Sequence, residues 1–259
     1  MAEIAVAKVI SERPGSIVAQ SPFDDFVRKF GTTQRRGIFG YFVHDLGRRI
    51  VGGEYPQGVT LPNEPELVAQ FGISRTVVRE AMKCLAGKGL VEIKTRVGTR
   101  VRDRASWHHT DKDVMVWYYE TGPSIEFMKA IKDLRLVLEP EASARAAARG
   151  TPGEIARIGA AYQAMVDMGD TDANSDADLE FHTAIYAATH NMVYAQLIDI
   201  LAIAIYANRV LSPADAKDEH ESSLPSHKAV YEAIAAHDAG AASTASKQML
   251  DSWLSEYSV

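Results

Sequence analysis

The chain has 259 residues, 46% of them hydrophobic and 24% charged, with a formal net charge of −6. That composition excludes a disordered, collagen-like or disulfide-stapled chain. The length allows one large domain or two of ordinary size. A single cysteine, Cys84, rules out an intrachain disulfide and agrees with a reducing, cytoplasmic compartment.

Residues 1–34 are weakly patterned and contain Arg13-Pro14-Gly15 and Ser21-Pro22. They read as an N-terminal extension with no continuous apolar run of the signal-peptide kind. Residues 36–53 place Ile38, Phe39, Phe42, Val43, Leu46 and Ile50 at helical spacing, closed by Gly52-Gly53. Pro56, Gly58 and Pro62 then mark an extended connection. Asn63 predicts an N-cap, with Glu64 and Glu66 in a first turn whose dipole favours acids. That helix runs to about Gln70. Phe71-Gly72-Ile73 makes a tight turn, and Ser74 caps a second helix. Its core face is Val78, Met82 and Leu85, while Arg75, Thr76, Arg79 and Lys83 occupy the other face. Gly87 and Gly89 end it. Leu90–Lys94 and Thr99–Arg102 read as two strands joined by a tip at residues 95–98.

Three helices followed by a hairpin predict a winged helix-turn-helix module over residues 35–104. Residues 105–122 read as a linker or hinge with a short helix. Residues 123–259 are helical by pattern, with stretches near 124–149, 153–168, 172–189, 191–211, 219–237 and 238–256. The fold class is therefore mainly α: a winged helix-turn-helix with a small β-hairpin wing, plus an all-α antiparallel helical bundle. The longest apolar run, Ile200–Ala207, is far short of the about 20 residues that span a bilayer, so no membrane partner is expected.

Charge follows this division. Residues 35–104 carry 13 Lys+Arg and 7 Asp+Glu, a net +6, against −12 for the remainder. Local positive charge is what phosphate contact requires, whatever the total. In the bundle, Asp178 and His182 at i, i+4 share a helix face and could point at one metal ion. The same spacing is also common in surface and capping pairs. The chain contains no His-Glu-x-x-His, Gly-x-Ser-x-Gly or P-loop motif, so no enzyme is expected.

The run Leu61-Pro62-Asn63-Glu64, Glu66-Leu67, Phe71 to Ala81, Leu85, Gly89-Leu90-Val91-Glu92 and Gly98-Thr99-Arg100-Val101 resembles the DNA-binding domain of the GntR family. Leu134 to Glu139, Asp178 to His182, His190-Asn191 and His227-Lys228-Ala229 resemble the FCD effector domain of that family's FadR subgroup. Trp107 and Asp113 to Trp117 look most like its sugar-acid-responsive branch.

The resemblance implies a cytoplasmic transcription regulator of repressor type. Its partners would be a two-fold double-stranded DNA operator, a second copy in a homodimer, and a small carboxylate effector. It implies DNA contacts at Arg75, Thr76 and Arg79, and at the wing residues Thr95, Arg96 and Gly98. It implies a divalent metal, zinc foremost and nickel or manganese otherwise, on Asp178, His182 and His227. Arg135 and Arg209 would face the effector. Two departures stand out. Pro65 occupies a position where the family carries an arginine, and Met249, a poor ligand for these ions, occupies the fourth metal-ligand position.

Overall fold

The computed structural model describes residues 37–94, 97–122, 124–169, 172–211 and 216–255. Side chains at 172–174, 203–204, 207–211, 216–222 and 252–255 lie outside the description. The chain divides after Gly122 into two compact units.

The described part of the first unit begins with α1 (Gly37–Val51), α2 (Glu64–Phe71) and α3 (Arg75–Gly87). A two-stranded antiparallel sheet follows, β1 (Val91–Lys94) and β2 (Gly98–Val101), with Val91 opposite Val101 and Lys94 opposite Gly98. α2 starts as the sequence predicts. The Asn63 side chain accepts from Glu66 N at 3.0 Å, and Glu66 Oε2 accepts from Asn63 N at 2.7 Å, a complete capping box. Gly72, at φ 63° and ψ 31°, ends α2 in the left-handed conformation and turns the chain into α3. The Ser74 side chain caps α3 by accepting from Val77 N at 3.3 Å. Phe42, Leu46, Leu67, Val78 and Leu85 are buried together as the core of the three helices. The connection after α1 joins the wing, with Leu61 N donating to Thr99 O at 2.8 Å and Val101 N to Val59 O at 2.9 Å.

The segment expected as a hinge is packed into this first unit. Its helix, α4 (Lys112–Thr121), lies against α1, and Val114, Met115, Val116 and Trp117 are buried. Contacts between residues far apart in sequence hold it. Trp117 Nε1 donates to His44 Nδ1 at 2.9 Å, and His44 Nε2 lies 3.0 Å from Glu120 Oε2. Gly47 makes room on α1, because a Cβ there would overlap the Trp117 ring. Lys88, the C-cap of α3, puts its ammonium 2.9 Å from Asp111, the N-cap of α4, and 2.6 Å from Asp113. Burial works against the Lys88 ammonium, but the two carboxylates outweigh it and raise its pKa above 10.5.

The second unit contains α5 (Ile125–Arg149), α6 (Pro152–Met168), α7 (Asp172–Ala188), α8 (Met192–Gln196), α9 (Ile198–Leu211), α10 (Ala216–Ala235) and α11 (Ala239–Ser255). Its closest pairings are α5 with α11, α6 with α7, and α10 with α11. The stretch expected as one helix over 191–211 is two. At Leu197 the backbone tightens, with Leu197 N bonded to Tyr194 O at 2.9 Å and Ile200 N to Leu197 O at 3.0 Å, three residues back rather than four. Ala146, Ile158, Phe181, Leu201 and Val230 meet in the bundle core. Among the described residues no helix is long and apolar enough to cross a membrane.

Candidate nucleic-acid interface and candidate metal centre

In the first unit, Arg75 and Thr76 are the first two residues of α3, and Arg79 follows one turn later. All three are exposed, while Val78, Met82 and Leu85 on the opposite side are buried. The helix therefore offers a polar, cationic face free of packing duties. Gly98 begins β2 at φ 104°, a backbone conformation that suits only glycine. Thr95 and Arg96 lie outside the described residues.

The two arginines differ in their surroundings. No ion pair engages Arg75 among the described residues. Arg79 Nε donates to both oxygens of Glu64, at 2.9 and 3.0 Å. Glu64 is the first residue of α2, so this contact crosses the helix-turn-helix. Sequence reasoning assigned Glu64 to the helix dipole and missed it, because a 15-residue separation between helices leaves no periodic signal. Pro65 sits in the first turn of α2, where its missing N–H costs nothing.

In the second unit, Asp178, His182 and His227 do come together. One ligand atom from each lies within 4.8 Å of the others. Asp178 Oδ1 is 3.3 Å from His182 Nε2 and 3.3 Å from His227 Nε2. The far nitrogen of each ring is already committed. His227 Nδ1 donates to the Ser223 carbonyl at 2.9 Å, and His182 Nδ1 lies 3.2 Å from Glu139 Oε2. A carbonyl only accepts, so His227 Nδ1 carries a proton, the Glu139 carboxylate favours one on His182 Nδ1, and both Nε2 atoms face Asp178. Three electron-rich atoms then converge, and Asp178 Oδ1, itself buried, has no hydrogen bond of good geometry. A proton or a cation must lie among them. Two imidazoles and one carboxylate suit a divalent transition metal, and the His227 Nδ1 hydrogen bond and the His182 Nδ1 ion-pair contact orient the two rings.

The electrostatics favour a proton at the site when no metal competes for it. Burial works against the charged form of His182, yet Glu139 and Asp178 outweigh it and push its pKa up to about 9. Burial likewise opposes the Glu139 carboxylate, but the Arg135 guanidinium and His182 hold it down to about 2. His182 and His227 keep Asp178 well below the ordinary carboxylate range, against its own desolvation. The Phe181 ring walls the site edge-on to both imidazoles, with centroids 5.6 and 5.3 Å away.

Glu139 is the cluster neighbour that the spacing did not assign. The i, i+4 pair with Arg135 is legible in sequence, and the ion pair forms in the buried interior. Its second contact, to His182 across two helices, is not legible. Met249 packs into the bundle core with apolar neighbours. Arg209 belongs to α9, but its side chain lies outside the described residues.

Comparison with known proteins covers both units. Residues 42–101 match the model of bacterial regulatory proteins, gntR family, and residues 130–252 match the FCD domain. The chain is 34% identical over 210 residues to the galactonate operon transcriptional repressor of Escherichia coli K12, covering 80% of this chain and 91% of that one. It is 32% identical over 161 residues to the Uxu operon transcriptional regulator of the same organism, covering 61% and 60%. Among solved structures, Lar, which controls the Listeria monocytogenes agr system, matches with a TM-score of 0.55 at 18% identity, over 86% of this chain and 95% of that one. This last likeness concerns the fold alone.

Proposed function

The chain belongs to the GntR family of DNA-binding transcription regulators, with an FCD domain, and on that premise we propose that it is a sugar-acid-responsive repressor. The cluster of Asp178, His182 and His227 carries this reading, because one ligand atom of each lies close enough to the others to share an ion. A divalent metal there, zinc in the first instance, supplies a Lewis-acidic anchor for a carboxylate. Asp178, His182 and His227 hold it, and Glu139 keeps the His182 ring in register. With Met249 in the core, three protein ligands leave coordination positions for effector oxygens. Arg135 and Arg209 add positive charge for the effector carboxylate.

At the other end, Arg75, Thr76 and Arg79 read base edges, and Thr95, Arg96 and Gly98 of the wing reach toward the minor groove. One module buries too little DNA for high specificity, so a homodimer on a two-fold operator is the working form, in the cytoplasm. Effector binding in one unit lowers operator affinity in the other, a coupling between two sites.

D-galactonate is the first probe, on the strength of the galactonate repressor's likeness. Protein purified without a nickel column should contain close to one equivalent of metal per chain. Saturating galactonate or a related aldonate should raise its thermal stability, by about 2.7 kcal/mol at 100 times the dissociation constant. It should also release the operator in a gel-shift titration. Metal below a tenth of an equivalent would remove the metal from the proposal. Operator affinity unmoved by every aldonate that binds would remove the coupling.

A further inference from the structure

The Glu64–Arg79 contact carries an inference that rests on the DNA-reading role of α3. An arginine has five N–H donors, and where they point decides what it can recognise. In this chain Nε is taken by both Glu64 oxygens. No other hydrogen bond or ion pair engages Arg79 among the described residues. The two Nη groups are therefore left as an end-on fork. An end-on fork matches the paired acceptors O6 and N7 of guanine in the major groove. A side-on arrangement through Nε and one Nη is blocked.

Three observations set this contact apart from a casual surface pair. Glu64 is not needed to cap α2, because Asn63 and Glu66 complete the capping box between them. Its hydrogen bond is the leading reason that the Arg79 guanidinium is held still more firmly in its charged form. Arg75, one turn earlier on the same face, has no such tether, so the arrangement is specific to Arg79. The pair is also largely exposed, at 63% and 38% of side-chain area, which makes its share of stability small. A carboxylate beside an arginine also weakens that arginine as a phosphate contact, because it offsets the positive charge that phosphate attracts.

We infer that Glu64 is a positioning residue for sequence discrimination: it holds Arg79 end-on for a guanine and makes it a poor partner for phosphate.

The test uses the full-length protein and a duplex that the wild type selects from random DNA. Affinities are measured for that duplex and for unrelated duplex over a range of salt. Glu64→Ala should lower the ratio of selected to unrelated binding by about tenfold, the scale of a lost bidentate base contact. Binding to unrelated DNA should rise, and its log–log salt slope should steepen by about one phosphate's worth, near 0.9. Glu64→Gln, which keeps one acceptor, should fall between wild type and Glu64→Ala. The loss of discrimination should vanish in an Arg79→Ala background but persist beside Arg75→Ala. Melting temperature should stay within a degree or two throughout. The inference is overturned if both affinities change in parallel, if the effect survives in Arg79→Ala, or if melting falls while discrimination holds, which is the helix-dipole role alone. Failure of the wild type to select any sequence overturns the DNA-reading premise instead, and this inference with it.

Discussion

The two units handle charge in opposite ways. In the first, Arg75 and Arg79 stand in solvent on a helix whose other side carries the packing. In the second, Arg135, Glu139, His182 and His227 are all buried, Glu139 pairs with Arg135 on its own helix and with His182 on another, and His227 reaches Asp178 across helices. Exposed charge costs little to keep and adds little stability, so its arrangement answers to an external partner. Buried charge is costly unless paired, so each buried group here has a counterpart or awaits one. Under the proposed function, the difference separates a surface suited to a polyanion from an interior suited to a small ligand.

Among the described residues of the first unit, the Lys88 ammonium with Asp111 and Asp113 is a buried exception, and it gives the largest expected effect. Lys88→Met strands two carboxylates and should destabilise that unit by about 3–5 kcal/mol. The sign with pH follows from the raised pKa. The contribution is fully present below 10.5 and is lost as pH rises through the higher folded-state value. Denaturant melts of wild type and Lys88→Met should therefore differ by a constant amount from pH 7 to 10 and converge only above that. Convergence near neutrality would show that the ammonium is not the stabilising element.

Next comes Glu139→Gln. It removes the acceptor charge beneath His182, and loss of such a partner costs about 10–100-fold in metal affinity. Competition with a chromogenic chelator would measure this, and unchanged affinity would make Glu139 a partner of Arg135 alone. A smaller effect is expected at Gly47. Gly47→Ala forces a methyl against the Trp117 ring and should cost about 1–3 kcal/mol, the range for overpacking. Hydrogen exchange should localise the loss to α4 and α1. The smallest belongs to the exposed face. Arg75→Ala should change stability by no more than about 0.5 kcal/mol while weakening DNA binding. A large loss of stability there would break the contrast between the units.

The parts of the fold that were legible in sequence are those set by local rules. The Asn63 and Ser74 caps, the Gly72 turn, the Val78-Met82-Leu85 stripe and the presence of a hairpin each follow from a few adjacent residues, although Gly98, expected in the tip, pairs with Lys94 inside the second strand. So does the Asp178–His182 spacing. What was hidden depends on which elements meet. Trp117 facing His44, Lys88 gripping Asp111 and Asp113, and Glu139 lying under His182 link residues on different elements. For that reason residues 105–122 looked like a hinge. Their buried face is almost wholly apolar, which gives weak helical periodicity, and only the groove on α1 at Gly47 explains where it goes. Leu197 was hidden for a related reason, since its tightened turn contains neither proline nor glycine.

The seating of α4 against α1 has a consequence for protein engineering. A sensor chimera that joined this reader to a foreign ligand-binding domain after Arg104 would carry away α1 with its seat for Trp117 empty and Lys88 without counter-ions. The transplantable cassette extends to Gly122, and junctions should be placed after this positive-φ glycine that ends α4.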